Sequence, residues 1–405
     1  MTETATPETK IGEPRISEAD ERALLDSIDR WLEKKVAPVA SKFEQADEYP
    51  HELVADMCEM GLFGALIEPE WGGLGLGAVT YSKIVARISE EWMSLTGFFN
   101  SHLMMALIVQ KFGTRAQKDH WLPRFATGEI RGGLALTEPD AGTDLQGIRT
   151  VARREGDQYV VNGAKLWITN ALEGDILAVL VKTDPTAEPR HRGMTMLICP
   201  TRDLETRAEL PGVVRGQKLP KLGYRGIDTG PITFEDYRVD ADMALVGGEE
   251  GKGFLMATGG LEIGRVNVAA RGVGIARRAL KEAVAYAQIR TTMGKPIAQH
   301  QAIQLKLGEM AAKTRASELL VEDAAKAYDR GGRVDLEAGM AKWFATETAF
   351  EVATESMRIH GAYGYSKEYP IERLYRDAPL LMIGEGTNEM QRIIIARQLI
   401  ARNPV

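Results

Sequence analysis

Residues of types that could do chemistry fall in a few short segments of this chain. Gly384-Glu385-Gly386-Thr387-Asn388 places a carboxylate between two glycines, just ahead of a helix start. A carboxylate removes a weakly acidic C–H proton best when burial raises its pKa toward neutrality and donors meet the developing oxyanion. Taken alone, a glutamate in a loop is as readily a solvated surface group. Far upstream, Leu134-Ala-Leu136-Thr137-Glu-Pro-Asp-Ala-Gly142-Thr143-Asp144 combines hydroxyls with a glycine that permits close backbone approach. Trp167-Ile168-Thr169-Asn170 adds a flat aromatic face. Arg290 precedes Gly294-Lys295-Pro296-Ile297 and carries a guanidinium that can fork onto phosphate oxygens. By themselves, Trp167 reads as an incidental core residue and Arg290 as a solvated helix residue.

These residues need elements to position them. From Ser17, Leu24, Leu25, Ile28, Trp31, Leu32 and Val36 recur at three- and four-residue steps, which predicts one buried helix face. Ser17 with Asp20 three residues on predicts its N-cap, and Pro38 ends or kinks the run. A second helical run covers 51–60 and stops at Gly61; 68–77 reads as a loop; helical patterning resumes over 80–127. From Arg131 to about Val246 the texture changes to short β-branched or apolar runs, 158–162, 176–181 and 194–198. Gly156-Asp157 and Asn162-Gly163 read as turn signals. Helical period returns from Gly253, with Val266, Ala269, Val273, Ala276, Leu280, Val284 and Ala287 on one face and small residues that let helices approach closely. Further helices are expected over 299–330, 336–360 and 387–400. The expected fold is α+β: a tail at 1–16, an N-terminal helical domain at 17–130, a middle antiparallel β-barrel-like domain at 131–246 and a C-terminal helical bundle at 247–405.

Composition narrows the function. A formal charge of -7 over 405 residues disfavours nucleic acid, which needs clustered Lys and Arg. The two cysteines, Cys58 and Cys199, offer neither a disulfide framework nor metal-ligand spacing, so no metal is expected. No apolar stretch is long enough to span a bilayer, and Met1 to Pro14 lack the regions of a signal peptide, so membrane insertion is not expected and a cytoplasmic protein is the simplest reading. Gly73-Leu-Gly75-Leu-Gly77-Ala78 matches a dinucleotide fingerprint but lacks the flanking βαβ unit, and reads as a loop.

Taken together and in order, the Leu134–Asp144, Trp167–Asn170 and Gly384–Asn388 segments, with Gln391-Arg392 beyond, resemble the acyl-CoA dehydrogenase family over about residues 17 to 402. The resemblance implies helix, sheet and helix-bundle domains, FAD as cofactor and an acyl-CoA substrate. It implies that Leu134, Leu136, Thr137, Gly142 and Thr143 cradle the flavin, with Trp167 and Thr169 near its N5 side. It assigns Arg290 to the FAD pyrophosphate of a neighbouring subunit, and Gln301, Arg358, Gly361, Ala362, Thr387 and Asn388 to further FAD contacts. Met293, Arg358 and Ala362 depart from the family's usual Phe, Gln and Gly. Glu385 matches the base, and its backbone N–H a donor to the thioester oxygen. Some members carry the base directly before the arginine of the long helix; here that slot is Gly264, before Arg265, and glycine cannot abstract a proton. Glu262, Ile263 and Arg265 match contacts to the CoA portion, and Thr143 and Gly386 contacts to the acyl thioester.

The resemblance leaves the acyl group open. The helix around Glu91 to His102 is expected to line its pocket. No arginine stands near Ser94, which disfavours a short dicarboxylyl substrate, and Trp92, Phe98 and Phe99 read as core. Gly384 replaces a tyrosine common in the family and predicts room for a branched, cyclic or bulky acyl group. Electrons are expected to pass to an electron-transfer flavoprotein, and the molecule to be a homotetramer. The alternative is a flavin oxidase or monooxygenase on the same scaffold, against which Glu385 and the chain length argue.

Overall fold

The computed structural model describes residues 16–404; the expected N-terminal tail, apart from Ile16, lies outside the described residues. The chain begins with α1 (Glu18–Trp31), α2 (Ala40–Ala46), α3 (His51–Glu59), α4 (Ala78–Trp92), α5 (Ser94–Phe112) and α6 (Arg115–Ala126). Ser17 caps α1 by accepting from the Asp20 amide, as its spacing predicts. Thr114 and Gln117 form a reciprocal capping box on α6. The Gly73–Ala78 segment leads into α4 without a preceding strand. Asp329 occupies the α4 N-terminus, accepting from the amides of Ala78 at 2.6 Å and Val79 at 3.1 Å. A position that could attract phosphate therefore already holds a carboxylate from the chain itself.

A seven-stranded curled sheet follows, built from β1 (Gly132–Ala135), β2 (Val151–Glu155), β3 (Gln158–Thr169), β4 (Ile176–Lys182), β5 (Met194–Pro200), β6 (Val213–Arg215) and β7 (Thr229–Asp240). Its order is β1-β4-β2-β3-β7-β6, with β5 also on β4. The sheet is not wholly antiparallel as the runs suggested. β1 pairs with β4 in parallel from Gly132↔Ile176 to Ala135↔Val179, and β2 meets β4 in parallel at Val151↔Lys182. Strand periodicity reports which residues are extended, not which way a partner runs. Gly156-Asp157 is the β2–β3 turn, whereas Asn162-Gly163 lies inside β3 at a register shift against β7, a bulge rather than a turn. β4 is apolar throughout because both faces are covered: Ile176, Ala178 and Leu180 join the helical core, and Leu177, Val179 and Val181 a second core on the sheet's other face.

After α7 (Ala241–Ala244), the bundle consists of α8 (Gly253–Ile289), the short hairpin β8 (Thr291–Thr292) and β9 (Lys295–Pro296), α9 (Gln301–Asp329), α10 (Asp335–His360), α11 (Ile371–Ile383) and α12 (Asn388–Arg402). α8, 37 residues long, packs on α4, α5, α9, α10 and α11. The small residues on its faces permit this. A Cβ on Gly272 would stand 2.7 Å from the Ala345 carbonyl oxygen, and one on Gly274 2.4 Å from that of Ala86. α11, flanked by Pro370 and carrying Pro379 within it, was not expected from the sequence. It ends at Ile383 and delivers the chain into Gly384-Glu385-Gly386.

Candidate active site

Glu385 sits at the join of α11 and α12 with φ 55°, a left-handed conformation. The join is built from both sides. Thr387 caps α12 by accepting from the Met390 amide. From α10, the fully buried Lys342 donates to the Met382 carbonyl at 3.3 Å, the Gly386 carbonyl at 2.9 Å and Asn388 Oδ1 at 2.8 Å. Burial pulls the Lys342 ammonium down to about 8. Asn388 is buried in turn, donating to Thr346 at 3.0 Å and Glu347 at 2.9 Å. Its side chain is therefore spent on holding the loop. The cofactor role implied by the resemblance has no side-chain atom to draw on there.

The Glu385 carboxylate points into the protein. Although the residue as a whole is partly buried, Oε2 is closed to solvent and has no hydrogen-bond partner. Oε1 accepts from Asn100 Nδ2 on α5 at 2.9 Å. Burial raises the Glu385 pKa above the usual carboxylate range, against the lowering pull of Arg271, the Asn100 amide, Lys342 and Arg265. Oε2 lies where a side chain at position 264 would be: a Cβ on Gly264 would stand 1.9 Å from it. A carboxylate from the loop and a side chain at 264 exclude one another. The Glu385 backbone N–H makes no hydrogen bond among the described residues, which leaves a donor beside the carboxylate.

The second group lies where the end of β3 meets the loop after β1, joined by the Leu166 amide donating to the Thr137 carbonyl at 2.9 Å. Leu134 and Leu136 are buried, Thr137 and Thr169 are partly exposed, and Gly142 and Thr143 are exposed on the following loop. Trp167 sits at a register shift in β3 with φ 65° and is 56 % exposed, so the bulge turns the ring outward instead of into the core. A Cβ on Gly142 would meet only Thr137 Cγ2, at 3.8 Å, so that side of the loop is open. A buried ion pair pins the loop: Lys165 Nζ lies 2.8 Å from Glu138 Oε1 and also donates to the Leu136 carbonyl at 3.1 Å. Glu138 further accepts from the Arg149 and Thr150 amides and the Thr150 hydroxyl. Asn170 ties the end of β3 to the Gly132 carbonyl at 2.7 Å and to the Phe98 carbonyl on α5 at 3.1 Å. An outward indole, hydroxyls and an open backbone on a pinned frame fit a flat heteroaromatic ring with polar edges, as a flavin presents.

The remaining candidates lie on α8 and beyond. Arg290 caps the C-terminal end of α8, exposed, without an ion-pair partner among the described residues. Met293 and Gly294, both at positive φ, turn the β8–β9 hairpin behind it, and Gln301 is exposed at the start of α9. Gly361 and Ala362 are exposed after α10, and Arg358 pairs with Glu355 at 2.5 Å. Among the described residues none of these makes a hydrogen bond or ion pair with Glu385. Arg265 is buried and paired with Asp335 at 2.9 Å, and Glu262 is partly buried on the same helix. Ile263 is buried beside them, and Gly386 is exposed. Trp92, Phe98 and Phe99 are core, as expected.

Family models for the acyl-CoA dehydrogenase N-terminal, middle and C-terminal domains match residues 18–129, 133–237 and 251–400. The chain belongs to the acyl-CoA dehydrogenase family. Among its relatives, the 3-(aryl)acrylate reductase of Clostridium sporogenes is 39% identical over 372 residues, 91% of this chain and 96% of the relative. An acyl-CoA dehydrogenase of Bacillus subtilis is 38% identical over 371 residues, 91% of this chain and 95% of the relative. The solved butyryl-CoA dehydrogenase of Megasphaera elsdenii superposes with a TM-score of 0.89 at 34% identity, covering 96% of this chain and all of that one. This acyl-CoA dehydrogenase is therefore an oxidoreductase acting on CH–CH bonds, in a family of FAD-dependent enzymes. Sequence reasoning missed Asn100, Glu138, Lys165 and Lys342. The available signal was a charged residue among apolar or small ones: Lys165 within β3, and Lys342 among Ala338, Ala341 and Ala345.

Proposed function

We propose that Glu385 is the base that removes the α-proton of an acyl-CoA thioester, and that the acyl group is branched, cyclic or otherwise bulky. The observation that carries the first part is the Glu385 carboxylate itself, buried beside Gly264 with Oε2 unpartnered. Oε2 has room to take a proton, and desolvation has already raised its basicity. The free Glu385 N–H donates to the thioester oxygen as negative charge grows there. Trp167, Thr169, Thr137 and the Leu134–Thr143 segment hold the isoalloxazine, Arg290 of one subunit serves the pyrophosphate of the next, and Gln301, Arg358, Gly361, Ala362 and Thr387 line the rest of the cofactor. FAD, when bound, supplies the acceptor for the β-hydride. Glu262, Ile263, Arg265, Thr143 and Gly386 orient the CoA thioester.

Gly384 supports the bulky acyl group. A Cβ there would meet only the Leu380 carbonyl oxygen at 3.4 Å and Leu380 Cδ1 at 3.9 Å, so the backbone leaves room for a side chain to start where glycine stands. The cross-subunit role of Arg290 requires at least a dimer, and a homotetramer follows the family pattern. Exposed Ile289, Met293 and Leu305 around the hairpin support a subunit contact on that face. Electrons pass to an electron-transfer flavoprotein. Anaerobic titration of the FAD-loaded enzyme with straight, branched and cyclic acyl-CoAs tests this reading. Preferential flavin bleaching by the bulky class, with slow reoxidation in air while product stays bound, is the expected result. Bleaching by none of the panel, or fast reoxidation with product bound, would overturn it.

A further inference from the structure

We propose that Arg271, Asn267, Tyr81 and Asn100 form a one-directional hydrogen-bond relay that positions the Glu385 carboxylate, with Arg271 setting the direction from its far end. The inference rests on the reading of Glu385 as the base.

The relay joins three helices. Arg271 Nε donates to Asn267 Oδ1 at 2.6 Å, both on α8. Asn267 Nδ2 donates to the Tyr81 hydroxyl of α4 at 2.8 Å. That hydroxyl donates to Asn100 Oδ1 of α5 at 3.2 Å, and Asn100 Nδ2 donates to Glu385 Oε1 at 2.9 Å. All of the relay is buried; Asn267 is 0 % and Arg271 4 % exposed. An amide alone can face either way. Here the ends decide, because a guanidinium only donates and an ionised carboxylate only accepts. Arg271 forces Asn267 to show it oxygen, so the Asn267 NH2 faces Tyr81. Tyr81, having accepted, spends its proton on Asn100, whose NH2 is left for Glu385. Oε1 is thereby held and Oε2 left free.

Arg271 suits the end of such a relay. Among the described residues it makes no ion pair, though a buried cation is costly without an anion. It is fixed instead by Tyr224: Nη1 donates to the Tyr224 hydroxyl at 3.2 Å, and the guanidinium lies 5.6 Å from the ring centroid. The Tyr224 hydroxyl fills the space over Gly97, where a Cβ would stand 1.7 Å from it. The other cations facing Glu385 are engaged elsewhere, Arg265 with Asp335 and Lys342 with the loop carbonyls and Asn388. Burial pushes the Tyr81 and Tyr224 hydroxyls up and keeps both neutral, so they transmit polarity without contributing charge.

The test is Tyr81→Phe, two links from the base, in the FAD-loaded enzyme. With Asn100 free to rotate, Glu385 loses a donor that favours its ionised form. The acidic limb of kcat/KM for flavin bleaching should move up by about one pH unit, with bleaching below it about tenfold slower. Acyl-CoA affinity from flavin perturbation should hold within about twofold. Asn267→Leu removes the donor to Tyr81 without adding a charge, so it carries the same prediction if Tyr81→Phe fails to load flavin. Arg271→Gln, which keeps a donor to Asn267, should retain more activity than Arg271→Met. An unmoved acidic limb in Tyr81→Phe, or affinity falling as far as the rate, overturns the relay. Glu385→Gln separates the two ideas. If it is inert and Tyr81→Phe is unshifted, the relay alone fails; if it bleaches like wild type, the base assignment fails.

Discussion

Gly264→Ala puts the geometry of the base to a demanding test because it should separate stability from activity. The added methyl would stand 1.9 Å from Glu385 Oε2 and 2.7 Å from Met104 Sδ. Ordinary contact begins at 3.4 Å, so the carboxylate must retreat by about 1.5 Å. Both obstacles are the ends of flexible side chains, so the backbone need not move. In the middle of α8, alanine is favoured over glycine by about 1 kcal/mol. The fold should therefore keep or slightly raise its Tm and load FAD normally. A misplacement of this size costs on the order of 100-fold in a proton transfer that needs near-contact geometry. Stopped-flow bleaching under anaerobic, saturating acyl-CoA, beside a thermal melt of the same sample, measures both. Bleaching within about threefold of wild type would refute the claim that Oε2 works from the space beside Gly264. A large fall in Tm would refute the claim that only side-chain tips stand in the way.

Other consequences follow from the same contacts. Gly384→Tyr, at a position with φ -66° that any residue can adopt, should spare straight-chain turnover and depress turnover of branched or cyclic acyl-CoAs; equal loss on both removes the argument for an open pocket. Lys165→Met strands the buried Glu138 carboxylate and should cost about 3–5 kcal/mol with loss of FAD retention, whereas pairing it with Glu138→Gln should recover part of that loss in a chemical melt. Asp377 is buried and its carboxyl is pushed up to about 6, chiefly by desolvation. A raised carboxyl pKa means the folded state holds the proton more tightly, so this group adds stability as pH falls from about 6 toward 4, up to about 3 kcal/mol. Asp377→Asn keeps the oxygen that accepts from the Tyr224 amide at 2.6 Å, and should flatten that part of the stability–pH curve; an unchanged slope contradicts the shift.

Much of this arrangement was legible in the residues, and the gaps have physical causes. The helix faces of α1 and α8 and the Ser17 cap followed from period and cap chemistry, because both are local. Glu385 could be named from its segment, but not where its carboxylate goes, since Asn100 and Gly264 meet it only through the packing of α5 and α8. The Glu138–Lys165 and Lys342 contacts were hidden because a lone lysine in a strand or helix looks solvated until its partners are known. The prolines of α11 signal interruption in the sequence, although Pro370 only caps the helix start and Pro379 is carried within it. Asn162-Gly163 reads as a turn in sequence but forms a bulge, because both use the same residue types. The unbroken apolar run of β4 reports burial on both faces, but not that β1 runs parallel to it while β5 runs antiparallel.

The central claim is that the Glu385 carboxylate removes the α-proton. The direct measurement is anaerobic titration of FAD-loaded wild type and Glu385→Gln with the acyl-CoA that bleaches the wild type best. The glutamine keeps an oxygen for Asn100 and nearly the same shape, but it cannot accept the proton. The account predicts a variant that still binds the ligand, seen as a perturbed flavin spectrum, yet stays oxidised. Bleaching of Glu385→Gln at the wild-type rate would contradict it.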